Sequence, residues 1–126
     1  MRSDQLKGNW GILDVHDAIF TAKALSRPPY SIIDRDRIVI RGASAGGYTA
    51  LATLSDPVGA TLFAAGTSLY GISDFRKLAQ LSHKYEMRYL DSLLGGKMEE
   101  IPQVYVDRSP ISHADNIVQP LLVRRV

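Results

Sequence analysis

Residues 41–48 read Arg-Gly-Ala-Ser-Ala-Gly-Gly-Tyr, RGASAGGY, and follow directly on the apolar run Ile38-Val39-Ile40. A single serine, Ser44, stands among small residues where that run ends. The spacing Gly42-x-Ser44-x-Gly46 is that of a serine held on a tight strand-to-helix turn, where a strained backbone projects the hydroxyl. Strand and helix approach so closely there that the flanking positions must be small, and Gly42, Ala43, Ala45, Gly46 and Gly47 all are. The helix beginning at the turn aims its N-terminus, the Ala45 backbone N–H first, at the place where an oxyanion would develop. Five residues alone make a weak motif; the strand before and the helical run after supply the context that gives it weight.

Outward from this turn the pattern alternates. Residues 36–40 (DRIVI) read as a short buried strand, and residues 46–55 (GGYTALATLS) turn to helix-favouring Ala and Leu until Asp56-Pro57. Upstream, Val15, Ala18, Ile19, Ala22 and Leu25 recur at three and four positions, which predicts a helix over residues 12–25 that Pro28-Pro29 ends. Arg35, Asp36 and Arg37 read as a solvated link before the strand. Downstream, residues 62–70 read as a second strand, followed by Gly71 and an N-cap at Ser73 or Asp74. Residues 75–94 read as helical with a break near Ser82-His83, closed by Gly95-Gly96. A polar segment with Pro102 and Ser109-Pro110 leads to QPLLVRRV (residues 119–126), which opens as a third strand. Strand, helix, strand, helices, strand is the order of a parallel sheet with crossover helices, hence an α/β fold in a single partial domain over residues 1–126. Three strands make a thin sheet, and its edges and apolar faces need partners.

Composition narrows the chemistry. The 126 residues are 45% hydrophobic and 22% charged, ordinary for a globular domain. Fifteen basic residues against thirteen acidic give a net charge of +2, spread along the chain, so neither nucleic acid nor a membrane surface is implied as a partner. The absence of cysteine excludes disulfides, thiolate nucleophiles and cysteine-based metal sites, and fits a reducing, cytoplasmic compartment. No apolar stretch approaches the roughly 20 residues of a membrane helix, and the N-terminus lacks the apolar core of a signal peptide. Lys23, Lys77 and Lys84 lack the glycine-rich loop and Lys-Ser/Thr pair of a phosphate site, and no cofactor is implied.

The blocks KGNWGILDVHDAI, IDRDRIVIRGASAGGYTAL, AGTSLYGISDFRKLA, HKYEMRYLDSLLGG and RSPISHADNIVQPLLV, which together run over residues 6–123, resemble the catalytic domain of the prolyl oligopeptidase family of serine peptidases. They are most like its dipeptidyl-peptidase and acylaminoacyl-peptidase-like members. The resemblance implies an α/β-hydrolase fold, a Ser-Asp-His triad, and hydrolysis of short or N-blocked peptides behind a gating β-propeller. By position it makes Ser44 the nucleophile and Ala45 one oxyanion-hole donor. The second donor has no match here. After QPLLV the family continues into a glycine and the triad aspartate, whereas this chain reads Arg124-Arg125-Val126, so neither acid nor base is matched and the chain alone is expected to be inactive.

Substitutes for the missing base are poor. His113 and Asp115 in SPISHAD permit a triad on paper with Ser44, but the resemblance places that block in a structural segment before a strand. His83 reads as a packing or hinge residue. His16, with Asp14 and Asp17 in DVHD, offers too few converging ligands for a metal. Trp10 and the stripe over residues 85–94 read as core or domain contacts. Two other functions compete: an esterase-like hydrolase, since this kind of turn serves acyl transfer generally, and a non-catalytic chain that associates through its exposed sheet edge.

Overall fold

In the computed structural model, which describes residues 3–81 and 84–125, each short stretch of the alternating pattern folds into its own element. The order is α1 (Ser3–Leu6), α2 (Leu13–Ser26), β1 (Val39–Ala43), α3 (Ala45–Ser55), α4 (Gly59–Leu62) and β2 (Ala65–Leu69). Then come α5 (Phe75–Leu81), α6 (Lys84–Leu94), α7 (Pro102–Asp107), a 3-10 segment (Pro110–Asn116) and β3 (Leu121–Arg124). The three strands lie in the order β1-β2-β3, all parallel, with Arg41 opposite Thr67 and Thr67 opposite Leu122. That is the α/β architecture expected.

The boundaries differ in instructive places. β1 starts at Val39 and runs on to Ala43, because residues 34–37 form a turn. There Asp34 accepts hydrogen bonds from the Asp36 N–H (2.9 Å) and the Arg37 Nε (2.8 Å). The Arg37–Asp34 and Arg35–Asp36 pairs are exposed, so these charges are a solvated link. The second strand is shorter than the apolar run of residues 62–70, whose start belongs to α4. Asp56 accepts from the N–H groups of Val58 and Gly59 and so opens that helix. Periodicity cannot separate a short buried helix from a strand in an apolar run. Helices α1 and α7 and the 3-10 segment were not expected: at four to seven residues they are too short to show a period. The expected break at Ser82-His83 and the role given to His83 fall outside the described residues.

Helix α2 ends where Arg27 turns extended, as the residue before a proline must. Gly95 closes α6 at φ +98°, a conformation that favours glycine. At the start of α5 the cap is Asp74, whose Oδ1 accepts the Arg76 N–H at 2.9 Å. The buried Ser109 hydroxyl accepts the Phe75 N–H and donates to the Tyr105 carbonyl, tying α5 to the end of α7. Burial raises the Asp74 pKa, but hydrogen bonds from the Arg76 side chain and N–H, together with the Arg76 charge, outweigh it and the net shift is downward. A depressed folded-state pKa stabilises the protein above the unfolded value near 3.9, and that contribution is lost as pH falls through the folded value. Asp74→Asn keeps the cap oxygen and removes the charge, so it is expected to cost about 1 kcal/mol at pH 7. In thermal melts the gap from wild type should close below pH 4; an unchanged gap at pH 2.5 would show that the charge is not its cause.

Two apolar clusters hold the layers together. Between the sheet and its helices, Ala22, Leu54 and Phe63 pack with Ile38, Ile40 and Leu121. On the other side of α3, Trp10, Tyr48, Phe75, Leu90, Leu94 and Tyr105 form the second cluster, which confirms Trp10 and part of the α6 stripe as core. In that stripe Tyr89 is exposed. The sheet is covered on one face only: α3 packs on β1 and β2, while Val39 and Leu122 on the opposite face are each 65% exposed.

Candidate active site

Ser44 sits at the carboxyl end of β1 and is the last residue before α3. Its φ of +53° and ψ of −117° lie outside the regions that a residue with a Cβ adopts freely. Such a conformation costs about 1–3 kcal/mol and persists only where the surroundings impose it. Here they do. The Ser44 N–H donates to the Leu69 carbonyl on β2 at 2.8 Å, and the Ser44 carbonyl accepts the Tyr48 N–H at 3.0 Å. A Cβ on Gly42 would meet the Gly46 carbonyl and the Gly47 nitrogen (2.8 Å), and one on Gly47 would stand 2.8 Å from the Gly71 Cα. Strand and helix thus touch backbone to backbone around the serine. Gly46 is different: nothing lies within 4 Å of its missing Cβ, so of the small flanking residues it is not one the turn needs.

The consequences for chemistry follow from this turn. Ser44 is exposed, and its hydroxyl makes no capping hydrogen bond to α3. Ala45 is the first residue of α3, so its N–H has no acceptor within the helix and faces the helix's positive end. Behind the turn, the buried Ser68 hydroxyl donates to the Gly47 carbonyl at 3.0 Å, pinning the first turn of α3 to β2. Neither Ser68 nor Leu69 is marked in the sequence as anything but part of a strand.

A second set of contacts anchors α3 from the far side. Tyr48, fully buried, donates from its hydroxyl to the Arg108 carbonyl at 2.9 Å. Its ring packs against Trp10 (centroids 4.9 Å apart) and Phe75 (4.7 Å). Thr49 donates to Asp14 Oδ2 at 2.9 Å, while Asp14 Oδ1 accepts the Gly11 N–H at 2.6 Å. Arg108 Nη1 donates to the carbonyls of Gly8 and Trp10. Burial and then the Asp14 charge push the Tyr48 phenol far up, against a smaller opposing effect of Arg108, so it stays protonated. Burial in turn lowers the Arg108 pKa, opposed by Tyr48 and Asp14. The carboxylate of DVHD is therefore committed to a structural network, with His16 and Asp17 exposed beside it.

The remaining paper triad does not assemble. His113 Nε2 is paired with the Asp107 carbonyl at 2.7 Å, and with Ser55 and Asp56 it lines a hollow of about 270 Å³. Ser55 and Ser44 bracket the 11 residues of α3, a separation of roughly 16 Å at 1.5 Å per residue. Among the described residues no hydrogen bond joins Ser44 to a histidine.

A parallel sheet with a serine strained between strand and helix is the arrangement of the α/β hydrolases. The chain belongs to the prolyl oligopeptidase family, whose model matches residues 3–125. It is similar to a solved puromycin-hydrolyzing peptidase of Mycobacterium tuberculosis, with 40% identity and a TM-score of 0.84 over 95% of this chain and 17% of that one. A solved acylaminoacyl peptidase in complex with Z-Gly-Gly-Phe-chloromethyl ketone matches at 27% identity and a TM-score of 0.80, covering 96% of this chain and 19% of that one. Among curated proteins, a probable dipeptidyl-aminopeptidase B of Talaromyces stipitatus is 39% identical over 71 residues, 56% of this chain and 8% of the relative. The chain thus spans less than a tenth of that relative's length.

Proposed function

We propose that Ser44 is the nucleophile of a serine peptidase site that cleaves short or N-blocked peptides, with the Ala45 N–H as one oxyanion donor. The observation that carries this reading is the φ of +53° at a non-glycine residue heading α3, a strain that no packing need of the fold requires of a serine. Family membership supports peptide hydrolysis, as does the likeness to an acylaminoacyl peptidase that binds a short peptide derivative. In this reading the Ser44 oxygen attacks the scissile carbonyl, a base accepts its proton, and the carbonyl oxygen gains charge in front of the Ala45 N–H.

The base is the missing part. His113 is held by Asp107 near the opposite end of α3, so this 126-residue chain by itself is proposed to hydrolyse peptides poorly. Removing the acid and base of such a site leaves only what binding and the oxyanion hole supply. A fluorophosphonate probe tests both halves. Slow labelling over hours, mapped to Ser44 by peptide mass and absent from Ser44→Ala, is expected. Labelling complete within minutes would overturn the inactivity, and slow labelling equal in Ser44→Ala would overturn the nucleophile. If an aryl ester is turned over while a peptide arylamide is not, the substrate class shifts to esters.

A further inference from the structure

One residue past β2, the Tyr70 N–H donates to the Arg124 carbonyl at 2.8 Å, and the Arg124 guanidinium stands 5.9 Å from the Tyr70 ring centre. Ser44, Tyr70 and Arg124 thus close the carboxyl ends of three adjacent strands. Neighbouring strands lie about 4.8 Å apart, so the Arg124 backbone is roughly 10 Å from that of Ser44. Beside this row opens a hollow of about 200 Å³ whose apolar lining includes Leu51, Pro110, Ile117 and Val123, together with Arg124 and Arg125. No aspartate or glutamate lines it, and among the described residues neither arginine enters an ion pair. Apolar surface stays open around it: Ile111 is 51% exposed, Val123 47% and Tyr70 44%.

Two cations without counter-charges over an apolar lining suit a ligand of one chemistry, a carboxylate next to an apolar side chain. We propose that this hollow is a binding subsite for a peptide carboxylate, with the apolar side chain against Ile117 and Val123 and the carboxylate at Arg124 and Arg125. The site goes beyond the peptidase reading and does not depend on it, because Ser44 takes no part in the binding. The carboxylate has two sources, a chain terminus or an Asp or Glu side chain.

Calorimetric titration of the 126-residue chain with N-acetyl-Gly-Leu, its C-terminal amide and N-acetyl-Asp-Leu-amide tests the proposal. At low salt the free acid is expected to bind about fivefold tighter than the amide, the yield of one exposed ion pair. The preference should shrink in 0.5 M salt and vanish in the double variant R124Q/R125Q, whose exposed positions leave the thermal melt unchanged. It should persist in Ser44→Ala, which separates failure of this site from failure of the nucleophile assignment. Equal binding of acid and amide, no binding of either, or a preference that survives in R124Q/R125Q overturns the subsite. If N-acetyl-Asp-Leu-amide matches the free acid, side-chain carboxylates are accepted; if it matches the amide, the site reads chain termini.

Discussion

Gly42→Ala is expected to abolish cooperative unfolding of the chain, whereas Gly46→Ala, four residues on, is expected to raise the melting temperature. The first substitution places a methyl group against the Gly46 carbonyl and 2.8 Å from the Gly47 nitrogen. All of these are backbone atoms at the start of a helix that β2 already holds through Ser68 and Leu69, so nothing can yield cheaply. Overpacking of this kind costs about 1–3 kcal/mol where side chains can move, and more where the obstacle is backbone. Since a small domain has only about 5–15 kcal/mol of net stability, and this sheet is covered on one face, the loss takes most of it. At Gly46 nothing lies within 4 Å and the residue is helical, so alanine gains up to about 1 kcal/mol of helix propensity. Circular dichroism melts of both variants check this; equal melting of Gly42→Ala and wild type would show that the strand and helix do not touch as described.

The second large effect is at Tyr48. Tyr48→Ala removes a fully buried ring from contact with Trp10 and Phe75 and is expected to cost about 3–5 kcal/mol. Tyr48→Phe keeps the ring and leaves the Arg108 carbonyl without that donor, a cost of about 1 kcal/mol. The pH dependence separates the hydroxyl from the ring. Burial raises the folded-state pKa of Tyr48, so its contribution is fully present below the unfolded value near 10 and is lost as pH rises above it. Tyr105, raised by burial and by its hydrogen bond to Asp91, adds a parallel loss. Denaturant titrations between pH 8 and pH 11 should therefore show wild type losing stability more steeply than Tyr48→Phe. Parallel profiles would mean that the Tyr48 phenol ionises as freely when folded as when unfolded.

Much of the architecture was legible because its signals are local. The period of Val15, Ile19 and Ala22 marks α2, the branched run before Arg41 marks β1, and Gly42-x-Ser44-x-Gly46 marks the turn between strand and helix. Where an element is shorter than its own period, as in α4 and α7, no local signal exists and the apolar run of residues 62–70 was read as strand throughout. The role of Tyr48 had a faint signal in its place four residues after Ser44, on the helix face turned from the sheet. Ser68, Leu69 and Arg108 had none: they act through contacts to residues 21 to 100 positions away.

The chain's own sequence determined that a serine ends a strand, that only small residues surround it, and that no thiol and no long apolar helix is available for other chemistry. These are statements about neighbours along the chain, where sterics and propensity act within a few residues. Only the tertiary structure decided which of the small residues matter, separating Gly42 and Gly47, pressed against backbone, from Gly46, which faces open space. It also decided that His113 stands near the wrong end of α3, that Asp14 is spent on Gly11 and Thr49, and that Arg124 and Tyr70 come to lie in the same row as Ser44. Parallel strands meet only after a crossover of a dozen residues or more, so what gathers at their carboxyl ends is set by register and packing and not by spacing in the chain.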